Sequence, residues 1–129
     1  MDYLTPAEII VLHARLIQRT GGGEGIISLS MLEAATSRPQ AIFGGLDLYP
    51  TLWDKAAALM ESLIQNHPFV DGNKRVGLVA GGLFLERNGY TLTADNTEAL
   101  TFTLQVAQSI LKREAMAQWL QAHSAPSGS

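Results

Sequence analysis

His67-Pro68-Phe69-Val70-Asp71-Gly72-Asn73-Lys74-Arg75 collects an imidazole, a carboxylate, an amide, an ammonium, a guanidinium and a glycine within nine residues. From Val76 to Leu85 the sequence turns small and apolar, so the stretch reads as a loop feeding a buried helix. The first-turn amides of a helix lack intrahelical partners and its macrodipole favours anions, which makes such a junction receptive to phosphate. These residue types suit transfer of a phosphate-containing group to a hydroxyl. Asp71 can hold Mg²⁺, an ion that keeps several waters and otherwise relies on substrate phosphates. Gly72 lets a phosphate approach the backbone, while Asn73, Lys74 and Arg75 offer donors to oxygens that gain charge. A free imidazole titrates at about pH 6.5, so His67 is the neighbour suited to removing a hydroxyl proton at neutral pH. Taken singly, a His beside an apolar helix is more often structural, and Gly-Asn-Lys-Arg could be a solvated helix start. A base, a hard-metal ligand and a cationic helix start together favour chemistry.

The elements that must position this stretch follow from capping signals and apolar periodicity. Thr5-Pro6-Ala7-Glu8 is a capping box with Pro at the first helical position, and Ile9, Ile10, Leu12, Leu16 and Ile17 continue as a stripe, predicting a helix over about 6–19. Thr20-Gly21-Gly22-Gly23-Glu24-Gly25 holds four glycines in five positions and is expected to be a flexible loop. Ser30-Met31-Leu32-Glu33 reads as a second capping box, opening a short helix that Pro39 ends. Two short apolar runs about Gly44-Gly45 predict a small hairpin, a flap for a site. Trp53, Ala56, Ala57, Met60, Leu63 and Ile64 predict a helix over about 51–65 that delivers the chain to His67. The helix after the motif ends near Gly89 and is expected to be central, its interior glycines permitting close packing. Tyr90 to Thr93 is extended. Asp95-Asn96-Thr97-Glu98 then starts a helix to about Ser109, and Leu111 to Ala122 forms the last. The expected architecture is an all-α bundle around a central helix with a short β-hairpin flap: one domain over 1–124 and a disordered tail over 125–129.

Composition narrows the function classes. The 129 residues carry a net charge of −3, so the general field that draws proteins to nucleic acid or anionic membranes is missing and any phosphate binding must be local. Hydrophobic residues make up 47% and charged residues 16%, which describes a globular chain with an apolar excess that a partner could cover. The absence of Cys removes disulfides, thiol catalysis and thiolate metal sites. No apolar block resembles a signal peptide or a membrane span, and the expectation is a soluble cytoplasmic protein without direct nucleic-acid or membrane contact. His13 and His123 share no metal-ligand spacing, Trp53 and Trp119 sit at core positions, and Lys112-Arg113 reads as a solvated helix start.

The motif resembles the signature of the Fic/Doc superfamily, HxFx(D/E)GNGRxxR, and more closely its death-on-curing branch. The likeness extends to the Thr5-Pro6 helix, the Gly-rich loop and the Phe84-Leu85-x-Arg87-Asn88-Gly89 helix end. It implies a Fic/Doc-type helical bundle, with His67 as the base that activates a protein hydroxyl and Asp71 as the Mg²⁺ ligand. Gly72, Asn73, Lys74 and Arg75 would bind the phosphates of ATP, and Phe69 would anchor the loop in the core. Two departures from the larger Fic pattern bear on the reaction. Lys74 stands where nucleotidyl-transferring members have a second Gly, and Leu78 stands where they have a second Arg, a bidentate clamp on the diphosphate. The death-on-curing branch shares the Lys and lacks that Arg, which implies transfer of the γ-phosphate of ATP to a Thr or Ser hydroxyl. The branch consists of toxins of toxin–antitoxin modules whose acceptor is elongation factor Tu, so that translation stops, and whose partner is a Phd-like antitoxin. Residues 20–25 also match the letters of the family's inhibitory motif, (S/T)xxxE(G/N). That motif belongs on a helix, which three glycines oppose, and its Glu needs the Arg that Leu78 replaces. Two other readings of the same scaffold are a nucleotidyltransferase (adenylylating) enzyme and a catalytically silent binding module.

Overall fold

In the computed structural model, which describes residues 1–128, Thr5 opens α1 (Pro6–Thr20) with the expected capping box: its hydroxyl accepts from Glu8 N, and the Glu8 carboxylate accepts from Thr5 N. The same reciprocal pair, Thr51 with Asp54 and Asp95 with Glu98, starts α3 (Leu52–Asn66) and α5 (Asn96–Ala107). α2 (Leu29–Ser37) departs from the expectation, because its cap is Ser28, whose hydroxyl accepts from Met31 N. The cause is tertiary: the Pro68 carbonyl accepts from both Ile27 N and Ser28 N, which holds the chain extended up to that residue. A 3₁₀ turn over Arg38–Gln40 contains Pro39 and ends the helix.

The hairpin forms as β1 (Ile42–Phe43) and β2 (Leu46–Asp47), antiparallel, with Ile42 opposite Asp47 and Phe43 opposite Leu46. Gly44 and Gly45 have φ of 59° and 79°, the positive values that a two-residue type I′ turn needs at both positions. Its side chains face solvent, Phe43 being 80% exposed. Buried Lys55 ties the hairpin's base to α3, donating from Nζ to the Pro39 carbonyl at 3.1 Å and pairing with Asp47 at 3.6 Å.

α4 (Asn73–Arg87) buries Asn73, Val76, Gly77, Ala80, Gly81, Phe84 and Leu85, the three-and-four spacing of a single helix face. It packs on α1, α3 and α5, while α3 contacts α2, α4, α5 and α6 (Arg113–Ala122). The centre expected of α4 alone is therefore shared with α3, which is buried continuously from Lys55 to Met60. A Cβ on Gly77 would lie 2.6 Å from Ile64 Cγ1, and one on Gly81 would lie 2.3 Å from Met60 Sδ, so the glycines set the helix separation. Leu32, Leu63, Phe84, Phe102, Met116 and Leu120 complete the core.

Residues 125–127, which the sequence places in a disordered tail, are paired. β4 (Ser124–Pro126) pairs antiparallel with β3 (Tyr90–Leu92), and Ser127 N donates to the Gly89 carbonyl. Pairing with an already extended strand supplies the partners that a short Ser-Ala-Pro segment cannot supply itself. Ser129 lies outside the described residues. Arg113 is likewise less solvated than expected, its guanidinium sitting 4.8 Å from the Tyr49 ring centroid. Among the described residues no helix is long and apolar enough to cross a membrane.

Gly77→Ala gains about 0.5–1 kcal/mol in helix propensity but forces Cβ into Ile64, so the net expectation is destabilisation by about 1–2 kcal/mol. At Gly82 an added Cβ meets only Leu92 Cδ1 at 3.4 Å, and Gly82→Ala should stabilise; urea midpoints of the two variants check the contrast. At the far end of α4, Arg87 pairs with Glu8 and holds the Glu8 carboxyl down at about 2, the Arg87 hydrogen bond being the largest cause. A depressed folded pKa stabilises above the unfolded value and loses that stabilisation as pH falls toward the folded one. Glu8→Gln, which can keep the cap, should therefore cost up to about 1 kcal/mol at neutral pH. Thermal melts should show that difference fading as pH drops from 4.5 to about 2.

Candidate active site

α3 ends because His67, its C-cap, turns left-handed with φ 48° and ψ 60°, and Pro68 follows. Such a cap is normally Gly or Asn, so a side chain here carries backbone strain of about 1 kcal/mol or more, which concentrates at functional positions. His67 is exposed. From it the chain drops into the core, where Phe69 is 1% exposed, and rises again at Val70 and Asp71. The buried side-chain amide of Asn73 closes this loop: Oδ1 accepts from Phe69 N at 3.1 Å and Nδ2 donates to the Phe69 carbonyl at 3.0 Å.

Gly72, in the left-handed region at φ 77°, is the N-cap of α4, and no side chain caps the helix's first turn. The helix start is thus open to an anion. A cleft of about 290 Å³ lies there, lined by Thr20, Gly21, Gly22, Asp71, Gly72, Asn73, Lys74 and Arg75. The structure brings five of the six sequence-predicted residues around one space and leaves the sixth, His67, exposed at the loop's start, outside that lining. Asn73 differs from the expectation of a phosphate donor in that its side chain is committed to the loop, so what it can offer the cleft is backbone. Lys74 and Arg75 are exposed; Arg75 Nη1 donates to Thr20 Oγ1 at 2.9 Å.

Asp71 accepts at Oδ1 from Gly72 N at 2.7 Å and at Oδ2 from Gly23 N at 3.3 Å. These two amides, Gly72 first, hold its carboxyl below the usual carboxylate range, with Arg75 and Lys74 acting in the same direction. The side chain is therefore an exposed, ionised, hard oxygen donor. Each oxygen keeps a free lone pair, which fits Mg²⁺, an ion that takes one or two carboxylates and completes its shell with water and phosphate. Among the described residues no three His, Cys, Asp or Glu cluster into a metal cage, so a metal bound here would rely on ligand oxygens for the rest of its shell.

Sequence reasoning missed what surrounds the motif. The Gly-rich segment is a fitted wall, not a free loop: Val70 N donates to the Gly25 carbonyl at 3.0 Å and Ile26 bridges to Phe69. Gly22 has φ 112°, and a Cβ there would stand 2.6 Å from Asp71 Oδ2, so a side chain at this position would be strained and would displace the carboxylate. Glu24 lies outside any helix, and Thr20 binds Arg75, so the helical inhibitory arrangement is not formed. His13 is also in place, buried beneath the loop. The signal available in the sequence was its spacing: His13, Ile17 and Thr20 recur at four and three, on one edge of α1.

The fold and the cleft define a small helical domain with an anion-receptive loop–helix junction beside an ionised carboxylate. The chain belongs to the Fic/DOC family, whose sequence model matches residues 3–85. It is similar to Toxin Doc of Mycolicibacterium smegmatis, at 52% identity over 75 residues, 58% of each chain. It is also similar to Protein kinase doc of Escherichia phage P1, at 31% identity over 121 residues, 94% of each chain. The first of these matches spans less than two thirds of the relative's length; the second spans nearly all of it.

Stability and binding should separate along the loop. Asn73→Ala leaves a buried N–H and C=O of Phe69 without partners and should cost about 2–3 kcal/mol. Lys74→Ala, on an exposed side chain, should stay within about 0.5 kcal/mol of the parent while weakening the binding of triphosphate. Denaturant unfolding paired with nucleotide titration measures both.

Proposed function

We propose that this protein is the toxin of a toxin–antitoxin module, a transferase that moves the γ-phosphate of ATP to a serine or threonine hydroxyl of a protein and thereby inhibits translation. The observation that carries the reading is the cleft itself: an ionised Asp71, an uncapped helix start and the side chains of Lys74 and Arg75 share one space in a Fic/DOC chain. The names of the two relatives support the toxin and kinase parts. Leu78 supports the choice of group transferred, since it packs against the core where an adenylylating member would carry its second Arg.

In this reading the N–H groups at the start of α4, with Lys74 and Arg75, hold phosphate oxygens by charge-assisted bonds and take up charge in the transition state. Asp71 would hold Mg²⁺, which when bound neutralises phosphate charge. His67 accepts the proton of the acceptor hydroxyl. The hydroxyl oxygen bonds to the γ-phosphorus, the bond from that phosphorus to the β–γ bridging oxygen breaks, and ADP leaves with the electron pair. We assign contact with the acceptor chain to the hairpin, whose Ile42, Phe43 and Leu46 are exposed. The proposed acceptor, from the death-on-curing resemblance, is elongation factor Tu in the cytoplasm. The proposed antitoxin is Phd-like, laying an apolar helix along the groove where Val11, Leu12, Val79 and Leu83 line the space between α1 and α4.

Incubation with a cell lysate and ATP labelled at either the α or the γ phosphate tests the reaction. Transfer of γ label to one protein, lost on chelation of Mg²⁺, is expected; α label on protein without γ label would instead establish the adenylylating alternative. His67→Asn tolerates the left-handed cap while removing the base, and should lower transfer about 10²–10⁴-fold with a parental melt. No transfer of either label by the parent, with growth arrest by His67→Asn and Asp71→Ala as strong as by the parent, would leave only the silent binding module standing.

A further inference from the structure

His13 comes from α1, 58 residues before the motif loop that it supports. Its ring is 4% exposed and lies flat on Phe69, with centroids 3.9 Å apart and planes 9° from parallel. Its Nε2 is 2.7 Å from the backbone oxygen of Asp71. A carbonyl can only accept, so Nε2 carries the proton and donates. That carbonyl belongs to the same peptide unit as the Gly72 N–H, which donates to Asp71 Oδ1 at 2.7 Å. Because the unit is planar and trans, its C=O and N–H point in opposite directions. Fixing the oxygen toward His13 therefore aims the N–H at the carboxylate, and a bond donated to the carbonyl also strengthens the N–H of that unit as a donor.

The same edge of α1 braces the loop at two further points. Ile17 Cδ1 stands 3.3 Å from where a Cβ on Gly72 would be, and Thr20 Oγ1 receives Arg75. Ile17 contributes only shape and Thr20 only a tether to a flexible cation. Of these three residues of α1, His13 is the one that hydrogen-bonds the backbone unit on which the geometry of Asp71 depends.

We propose that His13 is a positioning residue for Asp71: stacked on Phe69 and donating to the Asp71 carbonyl, it locks the Asp71–Gly72 peptide so that the carboxylate is presented in one orientation to a divalent cation. The metal part rests on the reading of Asp71 given under the proposed function; the positioning part does not. His13→Phe keeps a flat ring against Phe69 and removes the donor. His13→Gln removes the ring and restores an N–H at the same distance along the side chain.

Amide hydrogen exchange of the metal-free protein, followed at Gly72 and Gly23, reads the positioning directly. Mn²⁺ titration in the presence of ATP reads its consequence. For His13→Phe, with a cooperative melt, exchange at Gly72 should accelerate about tenfold or more, and the Mn²⁺ half-saturation should rise about tenfold, as losses behind a metal ligand do. His13→Gln should return both toward the parent. Parental exchange in His13→Phe, or a His13→Gln no better than His13→Phe, overturns the proposal. If His13→Phe does not fold, protection at Gly72 in His13→Gln decides: parental protection supports it and lost protection overturns it. Failure of both variants to fold also overturns it, since His13 is then a core residue only. Absence of Mn²⁺ binding by the parent counts against Asp71 as a metal ligand, while exchange still decides the role of His13.

Discussion

The two hydrogen bonds between the side chain of Asn73 and the backbone of Phe69 are the constraint on which the rest of the site depends. Phe69 must be buried to fix the loop, yet its N–H and C=O would then be stranded away from water, at a cost of about 1–3 kcal/mol for each unpaired group. One amide, with one acceptor and two donor hydrogens, satisfies both. Asn73 is also the first residue of α4, so the bond that closes the loop fixes where the helix starts and which way its open end faces. No side chain caps that end. The loop is thus held from inside, by a buried amide, and the outer face of the junction is left to a ligand.

This arrangement explains which parts of the molecule were legible in the sequence. The helices were, because Thr5–Glu8, Thr51–Asp54 and Asp95–Glu98 are local signals, each contained within four residues, and the apolar stripes behind them have a helical period. The hairpin was legible from Gly44-Gly45 for the same reason. The start of α2 was not, since a carbonyl from Pro68, forty residues later in the chain, decides it. Neither was β4, whose order comes from a strand more than thirty residues away. At the site, residue types gave the motif, and Asp71, Gly72, Lys74 and Arg75 do meet around one cleft. What local reading could not supply was the role of Asn73 as a strut, or of His13 and the Gly22–Gly23 segment as supports, because these are contacts across long stretches of chain.

Glycine does two opposed jobs here, and the difference is visible in what a methyl group would meet. In α4, Gly77 and Gly81 lie against Ile64 and Met60 and weaken the helix in isolation so that α3 can approach. In the segment after α1, Gly22 and Gly23 gain nothing from helix packing. Their value is the space they leave for Asp71 and Val70. A long run of glycines reads as flexibility when the chain is taken alone, yet here the run is held at Gly23 by the Asp71 carboxylate and at Gly25 by Val70 N. Conformational freedom in the unfolded chain and close fit in the folded one come from the same missing side chain, and only tertiary contact tells which matters.

The electrostatics of the cleft point the same way as its geometry. The chain as a whole is acidic, so nothing beyond the local surface draws an anion toward it. Within the cleft a carboxylate stands beside two cationic side chains and a helix N-terminus. Two backbone amides keep that carboxylate ionised, so it is not a group that neutralises itself to admit a phosphate. Two unit charges of like sign 4 Å apart repel by about 4 kcal/mol at the screening typical of a protein surface. An ionised Asp71 next to a polyphosphate is therefore a liability unless a divalent cation sits between them. A site evolved only to bind an anion would do better with Asn or Ser at this position, which is the physical argument for reading Asp71 as a metal ligand and the cleft as a place for a metal-bound triphosphate.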